Sequence, residues 1–324
     1  MENQIIPTVK IAHRNFSLTI PEMTLEPGEI VGIFGKSGAG KTSYLKRIRE
    51  LFHPSHVHYL SQFDGLLEEI TIRQYIELGL TSMRRADMNI RNWERTHAAL
   101  LRDFEVDRHL GRYPRQMSGG QRKRAEIVTA LIMNPPLLLL DEPFLGIGHL
   151  FEAVCTREIL ARSAQTSGGT IIVSHDFDLL CTFSKRILLV DDLGVIGFVP
   201  SRDAHWRPAD LRTAWTLGVE NILTADDVSS LHVPNLQSPK EGQSLGFWDS
   251  EAIWGAEGNR ATVTVKCTDV ASIRSSLRHG TLTSTVTLKA NDEREAVTLT
   301  AKGTIEPNAE TIRLGINNVW LLNA

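Results

Sequence analysis

Cysteine, aromatic residues and long apolar runs are all scarce in this chain of 324 residues, of which 6% are aromatic. The three cysteines, at positions 155, 181 and 267, have neither the paired spacing of a disulfide framework nor that of a zinc site, so reduced thiols are expected. No stretch approaches the roughly 18–20 apolar residues that cross a bilayer. The N-terminal residues lack the basic and apolar segments of a signal peptide, and none is predicted. Any membrane-spanning helices of a complex would therefore come from other chains.

A strong excess of charge is missing as well. The formal net charge is −3 and the isoelectric point is about 6.4, which gives no global attraction to nucleic acid or to anionic lipid. The hydrophobic fraction of 42% and the charged fraction of 23% are ordinary for a globular protein. The length allows two domains, each large enough to bury a core.

A glycine-rich loop is the most informative feature that is present. Residues 35–42 read Gly-Lys-Ser-Gly-Ala-Gly-Lys-Thr, between an apolar run and a predicted helix, which is the setting of a phosphate-binding loop. Backbone N–H groups and the positive end of the helix would hold phosphate oxygens. Lys41 would reach the β- and γ-phosphates, and the Thr42 hydroxyl would bind Mg²⁺. The predicted nucleotide-binding residues of this loop are Gly35, Ser37, Gly38, Ala39, Gly40, Lys41, Thr42 and Ser43.

Two further segments carry possible chemistry. Ser118-Gly119-Gly120-Gln121 precedes a predicted helix, so it offers a hydroxyl and free N–H groups at a positive helix end, a second anion site. An ordinary helix cap is the alternative for this segment. The apolar run 137–140 is typical of a buried parallel strand, and Asp141 and Glu142 follow it directly. Three nearby histidines, at 53, 56 and 58, are interpreted as solvated side chains and not as metal ligands.

The secondary-structure pattern predicts an α/β sheet with crossover helices in the first two thirds of the chain. Residues 71–112 are charged and helix-friendly, and a helix is predicted from 118 to 133, where Asn-Pro-Pro ends it. Beyond residue 200 the composition changes. Residues 228–244 are rich in Ser, Pro, Asn and Gln, and Thr/Val alternation then predicts a small all-β domain.

Together these motifs resemble the nucleotide-binding cassette of ABC transporters over roughly residues 5–225. The resemblance implies ATP and Mg²⁺ as cofactors, with Thr42, Gln62 and Asp141 around the metal. It also implies that Glu142 activates the attacking water and that His175 steadies the γ-phosphate, which together with Lys41 makes them the expected catalytic residues. A surface position for Gln62 and a capping or core role for His175 are the alternatives. The remaining expected nucleotide contacts are Ser118, Gly119, Gly120 and Gln121, as the family signature, and Phe16 as the adenine-stacking aromatic, with His13 as its alternative.

The resemblance also implies an architecture. It is a P-loop NTPase cassette at residues 1–225, with a RecA-like core, an antiparallel β subdomain and a helical subdomain at about 71–133. A linker at 226–244 and a β-rich regulatory domain at 245–324, of the OB- or TOBE-like kind, would follow. This arrangement is similar to that of importer cassettes for molybdate, sulfate, polyamines, ferric iron and sugars.

Partners follow from the same resemblance. Two cassettes, identical or different, would form a head-to-tail dimer around two ATP molecules at the cytoplasmic face of the inner membrane. Transmembrane permease subunits would dock near Gln62 and residues 70–76, an external solute-binding protein would act indirectly, and no nucleic acid is expected. The expected function is ATP hydrolysis that energises uptake of a small solute, an oxyanion such as molybdate or sulfate, or ferric iron.

Two departures from the family pattern leave alternatives open. Gly148 stands where the family usually has an aspartate that touches the phosphate-binding loop of the opposite cassette. The segment between the phosphate-binding loop and Gln62 is also short. A soluble cassette without a transport role is one alternative. A degenerate, regulatory cassette that binds ATP and hydrolyses little is another.

Overall fold

In a computed structural model of the chain, the described residues fall into two compact units, Met1–Ser201 and Arg202–Ala324. The first unit therefore ends earlier than the boundary predicted at 225. The described ranges are 3–13, 16–62, 65–83, 92–165, 168–201, 210–217, 221–224, 243–247, 260–266, 270–278, 281–288, 298–302, 306–307, 311–317 and 319–323.

The first unit alternates strands and helices, as the sequence predicts. Its strands are β1 Gln4–Ile6, β2 Val9–His13, β3 Phe16–Ile20, β4 Met23–Leu25, β5 Ile30–Gly35, β6 Val57–Leu60, β7 Leu137–Asp141, β8 Gly169–Ser174, β9 Arg186–Asp191 and β10 Gly194–Pro200. Its helices are α1 Lys41–Leu51, α2 Ile72–Ser82, α3 Trp93–Thr96, α4 Ala98–Asp103, α5 Gly119–Met133, α6 His149–Gln165 and α7 Phe177–Phe183, with short 3₁₀ turns at Asp107–His109 and Pro114–Gln116.

A six-stranded sheet in the order β10-β9-β5-β8-β7-β6 forms the centre of this unit. The five strands from β9 to β6 are parallel, and β10 pairs with β9 in the antiparallel sense. Strands β5, β7 and β8 are buried along their whole length, which explains why they read as continuous apolar runs without alternation.

The strand register brings four carboxyl ends to one level of the sheet. Leu60 pairs with Leu140, Asp141 with Val173, and Phe34 with Ser174. The residues that follow these strands therefore emerge side by side, at the edge where open α/β sheets bind their ligands. This edge collects the phosphate-binding loop and the segments that contain Gln62, Glu142 and His175.

Smaller elements flank the central sheet. Two antiparallel pairs, β1 with β4 and β2 with β3, contribute apolar side chains to a core shared with α1 and the sheet. The regular elements described between β6 and β7 are all helices, and they lie within the predicted helical subdomain 71–133. Helix α2 begins at Thr71 with a capping box, because the Thr71 side chain accepts from the Gln74 N–H while the Gln74 side chain accepts from the Thr71 N–H.

The second unit is described by its backbone alone, apart from helix α8, Leu211–Leu217. Its described strands pair in three small sheets, and the last positions of the predicted linker 226–244 already belong to the second of these strands. The OB- or TOBE-like type of this domain stays a prediction. The strands are β11 Asn221–Thr224, β12 Gln243–Phe247, β13 Arg260–Lys266, β14 Val270–Arg278, β15 Thr281–Leu288, β16 Thr298–Lys302, β17 Glu306–Pro307, β18 Thr311–Asn317 and β19 Val319–Asn323.

Candidate functional site

The glycine-rich loop ends in a helix start that is open to an anion. Gly38 and Gly40 have φ angles of 89° and 86°, in the left-handed region where a side chain is strained and glycine is not. Helix α1 begins directly after Gly40 at Lys41. The first N–H groups of an α-helix have no partner inside the helix and lie at its positive end. The loop therefore presents backbone donors to a negatively charged group.

The Lys41 side chain folds back and binds the backbone at the start of the phosphate-binding loop. Its Nζ donates hydrogen bonds to the carbonyl oxygens of Gly35, at 2.6 Å, and Lys36, at 2.8 Å. Burial lowers the pKa of Lys41, and the carboxylates of Glu142 and Asp141 oppose this shift. The hydrogen bonds thus hold the ammonium at the mouth of the loop before any ligand binds, close to two carboxylates.

Asp141 lies at the carboxyl end of β7 and is buried. Its Oδ2 accepts a hydrogen bond of 2.9 Å from the Tyr59 hydroxyl, whereas its Oδ1 is buried and has no hydrogen-bond partner among the described residues. Burial raises the pKa of Tyr59, and the Asp141 carboxylate raises it further, so this hydroxyl stays protonated and donates. One carboxylate oxygen is fixed in place and the other lacks a ligand.

Glu142 is the next residue, and the chain leaves the sheet there. Its φ is 47°, and its N–H donates to the Val173 carbonyl at 3.0 Å. Its Oε2 lies 3.0 Å from Nδ1 of His175 and 3.4 Å from Oγ of Ser174. The His175 side chain is 69% exposed and that of Glu142 is 12% exposed. An exposed histidine at the edge of the cavity thus contacts a mostly buried carboxylate.

These residues converge on one cavity of about 440 Å³. Gln62 lines it and is half-buried. Two predicted loop residues are not among those that line it: Ala39 packs into the core, and the Gly35 carbonyl accepts a hydrogen bond from Lys41. The cavity is lined by Ser37, Gly38, Gly40, Lys41, Thr42, Ser43, Gln62, Asp141, Glu142, Val173 and His175.

The second predicted anion site lies elsewhere. Ser118 is the N-cap of α5 and is exposed, and its Oγ accepts from the Gln121 N–H at 3.3 Å while the Gln121 side chain accepts from the Ser118 N–H at 2.9 Å. None of residues 118–121 is among the described residues that line the cavity. In this conformation Ser118 caps its own helix, and within one chain the two helix starts do not line a common cavity. A nucleotide contact from residues 118–121 stays a prediction.

The oxygen ligands at the cavity fit a hard cation. Thr42, Gln62 and Asp141 offer a hydroxyl, an amide oxygen and a carboxylate, the ligand types that Mg²⁺ prefers. The buried, unpartnered Oδ1 of Asp141 points to the same conclusion, because a bound cation would satisfy it. Across the described part of the chain, no group of three His, Cys, Asp or Glu side chains is arranged to hold a metal. Of the three histidines predicted to be solvated, His53 and His56 are exposed and His58 is half-buried.

Sequence reasoning missed Tyr59 and Ser174, which both touch the predicted acidic pair. In the structure Tyr59 lies one residue before the end of β6, and its own sequence neighbours give no signal of a functional role. Its contact with Asp141 follows from the parallel pairing of β6 with β7, which no local pattern reveals. For the predicted Phe16, the backbone pairs with His13 in the β2–β3 hairpin, and the side chains of both lie outside the described residues.

Gly148 stands just before α6, at the position of the departure from the family pattern. It is exposed and has a φ of 82°. Its carbonyl accepts hydrogen bonds from the N–H groups of Phe151 and Glu152, both at 3.1 Å. The position is therefore a helix start without a side-chain cap.

Comparison with known proteins gives consistent results. The profile of the family described as ABC transporter matches residues 18–145. The aliphatic sulfonates import ATP-binding protein SsuB 1 of Rhodococcus jostii (strain RHA1) is 30% identical over 244 residues, which cover 68% of this chain and 95% of that protein. The Fe(3+) ions import ATP-binding protein FbpC of Haemophilus influenzae (strain 86-028NP) is 27% identical over 253 residues, 70% of this chain and 71% of that protein.

Solved structures share the fold. An ATP-binding subunit of an ABC transporter superposes with a TM-score of 0.56 at 21% identity, covering 66% of this chain and 94% of the other. The dimeric bacterial ABC transporter cassette MJ0796 gives a TM-score of 0.52 at 22% identity, covering 61% of this chain and 99% of the other. Where the structure describes the chain, none of its helices is both long and apolar enough to cross a membrane. The chain belongs to the ABC transporter family, as an ATP-binding cassette of the import type.

Proposed function

We propose that this chain is the ATP-hydrolysing subunit of an ABC importer. The observation that carries the proposal is the convergence of Lys41, Asp141 and Glu142 on one cavity at the mouth of the phosphate-binding loop. A cation, a candidate metal carboxylate and a candidate base are the parts that phosphoryl transfer to water requires.

In the proposed reaction, the loop N–H groups and Lys41 bind the β- and γ-phosphates. Glu142 orients the attacking water and takes its proton, because its carboxylate lines the cavity. His175 keeps that carboxylate in place from the rim. Thr42, Gln62 and Asp141 would hold Mg²⁺, which when bound neutralises charge on the phosphates.

A second cassette would complete the site. Ser118 and the exposed Gly119 sit at a helix start that is turned away from the chain's own cavity, so they suit the triphosphate of a partner copy. ATP would then favour the closed dimer, because only that state makes both sets of contacts. The solved relative MJ0796 is dimeric, which supports this arrangement.

Import as the direction of transport rests on the relatives, whose names give ferric ions, spermidine and putrescine, and aliphatic sulfonates as what those proteins import. For this chain we propose a small solute, either an oxyanion such as molybdate or sulfate or ferric iron. Transmembrane permeases would dock near Gln62 and residues 70–76 at the cytoplasmic face of the inner membrane, and an external solute-binding protein would deliver the solute. The second unit would be the regulatory, OB- or TOBE-like domain.

One observation favours a second candidate. Gly148 offers no side chain towards a partner cassette, which suits a regulatory cassette that binds ATP and hydrolyses little. The deciding experiment measures ATP hydrolysis by the purified chain, alone and with the permease that co-purifies with it. Hydrolysis that the permease stimulates supports the importer ATPase. Tight ATP binding without hydrolysis in either state supports the regulatory cassette and contradicts the first proposal.

A further inference from the structure

One buried cation, Lys123, has no part in the proposed reaction. It lies on α5, the helix that begins after Ser118, and is 7% exposed. Burying an ammonium costs several kcal/mol unless other groups compensate it. Burial lowers the pKa of Lys123, and the carboxylates of Glu126 and Asp141 oppose that shift. A buried lysine such as Lys123 is therefore expected to make a specific contact that compensates the cost of burying its charge.

The contact is with the segment that leads into the nucleotide cavity. Lys123 Nζ donates a hydrogen bond of 2.8 Å to the Ser61 carbonyl and lies 3.8 Å from Oε2 of Glu126. Ser61 directly follows β6 and precedes Gln62, which lines the cavity. The ammonium therefore fixes the peptide group from which Gln62 extends.

The same segment is held again at Gly65. A Cβ at Gly65 would lie 2.4 Å from Cδ of Glu126, so Glu126 packs against the bare backbone there. The Tyr75 hydroxyl of α2 donates to the Gly65 carbonyl at 2.6 Å. Helix α5 thus contacts the chain on both sides of Gln62, through two residues one helical turn apart that form an ion pair.

We propose that Lys123 is a positioning residue for Gln62, which ties the helix headed by Ser118 to the metal side of the nucleotide cavity. This inference rests on the proposed function. Because Ser118 and Lys123 belong to one rigid helix, a shift of the helix start on binding a partner's nucleotide moves the Ser61 carbonyl and with it Gln62. The lysine thereby couples the open helix start to the cavity of its own chain.

The test replaces Lys123 by methionine, which keeps the length and apolar body but cannot donate to Ser61. We expect kcat to fall about tenfold and the Mg²⁺ concentration for half-maximal activity to rise about tenfold, as for other residues that orient metal ligands. Calorimetry with a non-hydrolysable ATP analogue gives a readout without turnover. The affinity in EDTA stays at the wild-type value, and the gain in affinity on adding Mg²⁺ shrinks about tenfold.

Three further variants define the effect. Lys123→Arg keeps a cationic donor and is expected to retain most of the Mg²⁺-dependent affinity. Lys185→Met, which changes an exposed lysine of the same unit, is expected to behave as the wild type. In a Gln62→Ala background, Lys123→Met is expected to add little, because residues that act through one another are not additive.

Lys123→Met removes the ion pair with Glu126, so Lys123→Met/Glu126→Gln serves if the single variant fails to fold. The inference is overturned if the folded variant keeps the wild-type Mg²⁺ requirement, or if its effect adds in full to that of Gln62→Ala. It is also overturned if affinity in EDTA falls as much as affinity in Mg²⁺. A wild-type chain that hydrolyses no ATP would contradict the proposed function instead, and the calorimetry would still decide the role of Lys123.

Discussion

The two helix starts that suit an anion differ in what surrounds them. At α1, the loop, Asp141, Glu142 and His175 converge on one cavity. At α5, Ser118 is exposed and its hydroxyl only caps its own helix. The chain builds one enclosed site and one open helix tip. Under the proposed function, the tip binds a ligand held by another copy. Changes at the enclosed site should affect nucleotide binding or hydrolysis, whereas changes at the tip should affect association alone.

The largest effect is expected at the enclosed site, from Lys41→Ala. The variant lacks the ammonium that lies beside two carboxylates at the mouth of the loop, so charge that develops on the phosphates is no longer neutralised. We expect ATP hydrolysis to fall about a hundred- to a thousandfold. Steady-state phosphate release and calorimetry with ATP measure the loss.

Lys36→Ala is the matched control, since Lys36 is an exposed lysine of the same loop. It is expected to leave both measurements close to the wild type. Equal losses in the two variants would mean that general charge, and not the position of Lys41, drives binding.

The next effect is expected at the open tip, from Ser118→Asp. Aspartate is as good an N-cap as serine, so the stability of α5 should be kept, but its charge would repel a triphosphate. We expect the ATP-dependent association of two chains to weaken at least about tenfold, as for like charges at an interface. ATP binding by the single chain should be unchanged, which equilibrium dialysis at low protein concentration checks.

Thr71→Asp makes the same change in the same kind of capping box, at the start of α2. Association of the isolated chains should be unaffected in this control. Loss of association in both variants, or in neither, would contradict the distinction between a cap and a ligand-binding tip.

The smallest effect is expected from Tyr59→Phe, which removes the hydrogen bond to Asp141. One such bond is worth about 1 kcal/mol, so thermal unfolding should report a loss of that size. The Mg²⁺ requirement should rise about fivefold, which is the same free energy expressed as a ratio.

Tyr44→Phe is the comparison for this variant, because the buried Tyr44 hydroxyl makes no hydrogen bond to any residue that the structure describes. The Mg²⁺ requirement of Tyr44→Phe should match the wild type. A wild-type requirement in Tyr59→Phe would mean that Asp141 is held by other contacts.

Much of the α/β core could be predicted from the sequence, because its signals are local. The glycine loop, the leucine run before Asp141 and the Ser118 helix start each lie within a few residues of the structure that they specify. The ABC transporter fold follows from their order along the chain, and the parallel strand predicted at 137–140 is confirmed, extended to Asp141.

The contacts between these motifs could not be predicted in the same way. The Tyr59–Asp141 and Lys123–Ser61 hydrogen bonds join residues far apart in the chain, and each depends on strand register or helix packing. A lysine in a helix is usually solvated, so the sequence around Lys123 gives no sign that this side chain is buried. The first unit also ends at Ser201, close to the change in composition near residue 200, whereas the boundary at 225 came from the family resemblance.

Under the proposed function, two chains share ATP between the enclosed site of one and the open tip of the other. The most direct test is the molecular mass of the Glu142→Gln variant in solution. This change should stop hydrolysis and keep the contacts to ATP, so a closed pair of chains should accumulate. Light scattering after gel filtration should give twice the chain mass with Mg²⁺ and ATP, and the single-chain mass without nucleotide. A single-chain mass in the presence of bound ATP would contradict the shared site.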